Sequence, residues 1–279
     1  MTVFPLSSLQ QRLLTASLLI PLVVWAVLVW PNSVLAGLFA LIVLLGADEW
    51  AGLMGISHGG KRWGYRFFIA AGLLAGWQGL SYPGVLQGVF AVTALLWGVA
   101  VFVVRRYPQL PLWWQDPFVQ ALLGLVLLVP PWMALVFLHG GTTPETGPHS
   151  LLFLLILIWG ADSGAFFFGK RWGKRRLIPQ VSPGKTWEGL WGALLTTGFL
   201  AVVANYWLKP GRPLVFAVLC GVVVIYSVLG DLLESVAKRL RGVKDSGSLL
   251  PGHGGVLDRI DSLTAAAPVY AWGVLWLGS

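Results

Sequence analysis

Apolar runs of about twenty residues recur along this chain of 279 residues, and they restrict its fold more than any other feature. Such a run matches the ~30 Å hydrocarbon core of a bilayer, where no water can satisfy backbone N–H and C=O groups. Each run is therefore expected to close its hydrogen bonds internally, as an α-helix. Nine spans can be laid out, at about 13–30, 34–54, 66–80, 84–104, 118–138, 150–169, 187–207, 213–236 and 260–277. The third is short, and the sixth to eighth are interrupted by polar residues. No small-residue cleavage site follows the first, which reads as a span rather than a secretory signal. The runs do not alternate as the strands of an outer-membrane barrel do. The expected fold is an all-α integral membrane protein, a polytopic bundle of about nine transmembrane helices.

Basic residues fall on alternate loops. Arg12; Lys61, Arg62 and Arg66; and Arg105 and Arg106 share one side with Lys170, Arg171, Lys174, Arg175, Arg176 and Lys185. Lys238, Arg239, Arg241, Lys244 and Arg259 join them, making 17 of the 19 Lys and Arg, while Lys209 and Arg212 lie opposite. The positive-inside rule then places the N-terminus in the cytoplasm and the C-terminus outside, in agreement with an odd number of spans. The net charge of +8 is thus an orientation signal and a face able to meet anions, not a nucleic-acid footprint. The single cysteine, Cys220, lies in an apolar run, which removes disulfides and Cys-based zinc sites.

Only 11% of the residues are charged, so the places where acids occur carry information. Seven of the eleven carboxylates lie at or beyond Asp162. Asp162 is twelve residues into the sixth span, about 18 Å at the helical rise and past the midplane toward the basic side. Asp231 and Glu234 end the eighth span and Asp258 and Asp261 open the ninth, all at that depth. Each pair is spaced i, i+3 and shares a helix face, an unfavourable arrangement unless a cation or base intervenes. Hard oxygen donors without thiols suit Mg²⁺. Asp48 and Glu49, beside Trp50, read instead as interfacial or scaffold residues.

Two glycine-punctuated segments accompany these acids. "SPGKT" (Ser182–Thr186) is not a Walker A loop, because Pro179 stands where that spacing needs glycine. Ser182, Lys185 and Thr186 nevertheless precede an apolar helix, where hydroxyls and free N–H groups can hold an anion. In "PGHGG" (Pro251–Gly255), Gly252, Gly254 and Gly255 permit φ > 0 and close backbone approach to a ligand, with His253 between them.

Together, "SVAKRLRGVKDSGSLLPGHGGVLDRID" (Ser235–Asp261) resembles the signature of phosphatidate cytidylyltransferases, or CDP-diacylglycerol synthases. "GDLLES" (Gly230–Ser235), "WGADSGAFFFGK" (Trp159–Lys170), "SPGKTWEG" (Ser182–Gly189) and the N-terminal "LQQRLLTASLLIPLV" extend the likeness. Ala237 departs from it, where the family carries a larger apolar residue. The resemblance implies transfer of a cytidylyl group from CTP to phosphatidate, releasing pyrophosphate, in phospholipid biosynthesis at the inner face of the cytoplasmic membrane. It also implies a homodimer and Mg²⁺ held by Asp231, Asp258 and Asp261, with Glu234 a further candidate ligand and a second cation allowed. Those three acids, Lys244 and Arg259 are the expected catalytic residues. Asp162, Ser182, Lys185, Thr186, Lys238, Arg239, His253, Gly254 and Gly255 are the expected substrate-binding ones. Residues 1–279 form one membrane domain on this reading, with scaffold helices in 1–140 and catalytic helices and loops in 150–279. A polytopic transporter or another metal-dependent lipid transferase would also fit a chain with intramembrane acids. The first calls for internal symmetry, and the second for paired D-x-x-x-D motifs or a D-G-x-x-A-R run; none is found.

Overall fold

A computed structural model describes residues 8–56, 59–141, 146–249 and 254–277. Its helices are α1 (Ser8–Val29), α2 (Asn32–Leu53), α3 (Gly59–Gly79), α4 (Pro83–Arg106), α5 (Pro117–Gly140) and α6 (Pro148–Trp172). They continue with α7 (Trp187–Trp207), α8 (Pro213–Leu240) and α9 (Leu257–Leu277). A 3-10 turn, Leu112–Gln115, precedes α5. Proline opens α4, α5, α6 and α8, where its missing N–H would have no intrahelical partner anyway. Asp116 caps α5 by accepting from Phe118 N (2.8 Å) and Val119 N (3.1 Å).

Among the described residues, six helices, α2 and α4 to α8, are long and apolar enough to cross a membrane. In α1 the described apolar stretch is Leu19–Val29, whereas α3 and α9 fall where spans were expected but are more polar, and α9 shows why. It packs against α4, α5 and α8, and every residue from Thr264 to Ala271 is buried. A helix walled by protein has no lipid to match and gains more from close approach, which small residues such as Ala265, Ala266 and Ala267 allow. Outward-facing Leu74, Leu95, Leu195 and Phe199 are exposed, as lipid-facing side chains should be.

The bundle has two chemically distinct ends. At one, Tyr270 of α9 stacks near Phe153 of α6 and Phe216 of α8, and its hydroxyl lies 3.1 Å from Ser150 Oγ. The polar loops of α2, α6, α8 and α9 meet at the other. One departure from an all-helical reading lies there. Strands β1 (Arg176–Ile178) and β2 (Ser182–Thr186) pair antiparallel. Pro179 and Gln180 form their turn, closed by Val181 N–H donating to Ile178 O (3.2 Å).

Candidate active site

The β-hairpin exists at the right place to deliver one side chain. Lys185 leaves β2 and pairs with Asp231 on α8, Nζ to Oδ2 at 2.7 Å, while also reaching Val228 O at 3.5 Å. Arg239, two turns further along α8, donates to Val181 O (3.3 Å) and fastens the hairpin to the helix. Thr186 caps α7 by accepting from Gly189 N (3.0 Å), so its hydroxyl builds the fold locally. Ser182 pairs with Ile178 across the hairpin.

A second lysine lies between α8 and α9. Lys238 Nζ contacts Asp258 Oδ1 at 2.5 Å and Glu234 Oε1 at 3.3 Å. Lys238 and Glu234 are both buried, and breaking such a pair by removing one partner costs about 3–5 kcal/mol. The contact to Glu234 is within ion-pair distance but outside hydrogen-bond geometry. Both Glu234 oxygens are buried with no hydrogen-bond partner among the described residues. Asp261 lies close enough for its charge to act on both Asp231 and Glu234, and Asp162 on Asp231 and Lys185. The five expected acids are thus gathered at one end of the bundle. The pair Asp231 and Glu234 is split between Lys185 and Lys238, whereas of Asp258 and Asp261 the first meets Lys238 and the second accepts from Ser262 N (2.6 Å).

The loop before α9 folds around two carboxylates. Asp258 Oδ2 accepts from Gly255 N (2.7 Å), Ser246 N (2.9 Å) and Ser246 Oγ (3.0 Å). Gly254 takes φ +82°, and a β-carbon there would stand 2.7 Å from Asp258 Oδ2. At Gly255 it would stand 2.5 Å from Glu49 Oε2. The glycines were expected to admit a ligand; among the described residues they admit the protein's own acids. His253 falls outside those residues. Lys244 is exposed in the α8–α9 loop, and Arg259 is exposed in the first turn of α9.

Glu49 was not anticipated at the site. Its Oε1 accepts from Val256 N (2.8 Å), and its Oε2 from Leu257 N (2.8 Å) and within reach of Ser246 Oγ (2.9 Å). It therefore satisfies the free N–H groups at the start of α9, where the helix dipole favours an anion. The Ser246 hydroxyl has one proton for two carboxylates and couples Glu49 to Asp258. The sequence signal was present, since Glu49 ends α2 at the same depth as the other acids, but its neighbour obscured it. Asp48 pairs with Arg66 (2.6 Å) and Arg62 (3.8 Å) and ties α2 to α3, a scaffold role.

No three His, Cys, Asp or Glu side chains among the described residues converge closely enough to hold a metal ion. Lys185 pairs with Asp231, and Lys238 lies between Glu234 and Asp258. The donor set still suits a hard divalent ion: the ligands are all oxygen, and Glu234 is buried without hydrogen bonds.

A model of the cytidylyltransferase family matches residues 10–276, and the chain belongs to that family. It is similar to phosphatidate cytidylyltransferases of Pseudomonas aeruginosa, 39% identical over 96% of this chain and 97% of the relative, and of Haemophilus influenzae, 38% over 95% and 98%. The Brucella melitensis enzyme of that name is 34% identical over 97% of this chain and 95% of its own.

Proposed function

We infer that this chain is a phosphatidate cytidylyltransferase, joining CTP and phosphatidate to give CDP-diacylglycerol and pyrophosphate. Family membership and full-length similarity to enzymes of that name support the reading. One structural observation carries it: two lysines and five carboxylates from four segments converge at one end of an apolar bundle. The nucleophile is a phosphate oxygen that is already anionic, so no general base has to be found. It attacks the α-phosphorus of CTP, the bond from that phosphorus to the oxygen bridging it to the β-phosphate breaks, and pyrophosphate leaves with that oxygen. What remains is to hold two polyanions together and to offset charge as it moves, which positioning and cations accomplish.

Lys185 and Lys238 are suited to this because each can turn from a carboxylate to a phosphate without leaving the site. Glu49 and Ser246 keep Asp258 and the first turn of α9 in place, and Lys244, Arg259 and Arg239 add positive charge nearby. A divalent ion, which we take as Mg²⁺ with a second cation allowed, would be held by Asp231, Asp258 and Asp261 beside Glu234. It would supply further neutralisation of the phosphates. We propose nine spans forming a single domain in the inner membrane, the N-terminus cytoplasmic, with 1–140 the scaffold and 150–279 the catalytic part. We also propose a homodimer. Pyrophosphate release by the purified chain should require CTP and phosphatidate together. Release with CTP alone, or none with both in Mg²⁺, would refute this function.

A further inference from the structure

A cavity of about 460 Å³ lies between α1, α2, α5, α6 and α9. Its wall is apolar almost throughout, including Val27, Leu135, Leu151 and Leu155, whereas Asp162, Asp258 and Asp261 line it at the site end. On α6 the lining runs from Asp162 back to Leu151, eleven residues or about 16 Å at the helical rise. One leaflet of a ~30 Å hydrocarbon core is about 15 Å deep. The cavity is therefore about as long as one leaflet is deep. A lipid whose phosphate sits at those carboxylates would hold one chain across the midplane, in the far half of the bilayer.

We propose that it is an acyl slot, which takes one fatty chain of the lipid substrate and so sets which chain lengths react. This rests on the lipid-transferring reading above. An amphiphile fits this lining, its apolar chain along the walls and its polar end at Asp258 and Asp261. A second crevice, between α2 and α3, is of similar size at about 480 Å³ and is lined by Leu44, Asp48 and Arg66. Glu49 also lines it but neither Asp258 nor Asp261 does, so Leu44, more than a helical turn from Glu49, serves as the control position.

Leu155 lies seven residues before Asp162, on the slot wall and half-buried. Leu155→Trp should lower kcat/KM for dioleoyl phosphatidate by about tenfold or more relative to dihexanoyl phosphatidate. Leu44→Phe should leave that ratio as in the wild type. Parallel losses on both substrates, or the same ratio change in Leu44→Phe, would overturn the slot. Occupancy can also be read on the wild-type chain without turnover, using phosphatidate with a photoreactive group at its acyl terminus. Crosslinks on α5 and α6 near Leu135 and Leu151 are expected, and crosslinks on α3 alone contradict the proposal. A wild type that labels on α5 and α6 but forms no nucleotide-linked lipid would retain the slot and remove the assigned reaction.

Discussion

Asp258 is the residue on which the site turns. It joins Lys238 to the α9 loop through one oxygen to the ammonium and the other to three donors from Ser246 and Gly255. Asp258→Asn preserves shape but loses the charge that holds Lys238, and kcat should fall by about 10²-fold or more. Near-native turnover in an inserted, purified variant would remove Asp258 from the mechanism. Glu49 acts through the loop rather than on substrate. Glu49→Gln leaves one of the two N–H groups of Val256 and Leu257 facing an amide, and should cost about 1–3 kcal/mol of stability. Because Ser246 links Glu49 to Asp258, kcat should fall while KM for dihexanoyl phosphatidate stays within about twofold. A variant that only melts earlier, with wild-type kcat, would make Glu49 purely a cap.

At the scale of elements, the crossing of α8 over α9 places Asp231, Glu234 and Lys238 against Asp258 and Asp261. Gly230 sets that crossing: a β-carbon there would meet the Asp261 carbonyl and come within 3.2 Å of Ala265 Cβ. Gly230→Val should therefore lower thermal stability by about 1–3 kcal/mol through overpacking and reduce activity with it. Unchanged melting would mean the helices can part without consequence. Most helices were legible in the sequence as long apolar runs, α3 only in part (66–80 against Gly59–Gly79), and α9 was legible despite its polarity because Asp258 and Asp261 marked its start. The hairpin was not legible. Three-residue and five-residue strands carry too little periodicity, and Pro179 spoke only against a phosphate loop. Lys185 was expected to meet a substrate anion, and its pairing with the Asp231 carboxylate was not anticipated. Glu49 was read as an interfacial or scaffold residue, and that it anchors the start of α9 was not legible, because its partners are backbone N–H groups some 200 residues away.

For the molecule as a whole, the basic loops and the acids lie at one end, and the aromatic cluster of Phe153, Phe216 and Tyr270 at the other. Orientation is set by that asymmetry of Lys and Arg. In a Cys220→Ala background, a cysteine at Lys174 should react with an impermeant thiol reagent only from the cytoplasmic side, and one at Lys209 only from outside. Labelling of both from the same side would break the proposed topology. Chelation of divalent ions should abolish turnover without unfolding the bundle, since Lys185 and Lys238 already pair with Asp231, Glu234 and Asp258, and added Mg²⁺ should restore it.

The most direct test follows where the label of CTP goes. The purified chain, given phosphatidate and Mg²⁺, should place radioactivity from α-labelled CTP in a lipid and from γ-labelled CTP in pyrophosphate. Lipid labelled from the γ-phosphate would identify a phosphoryl rather than a cytidylyl transfer. No labelled lipid with any divalent cation would contradict the account outright.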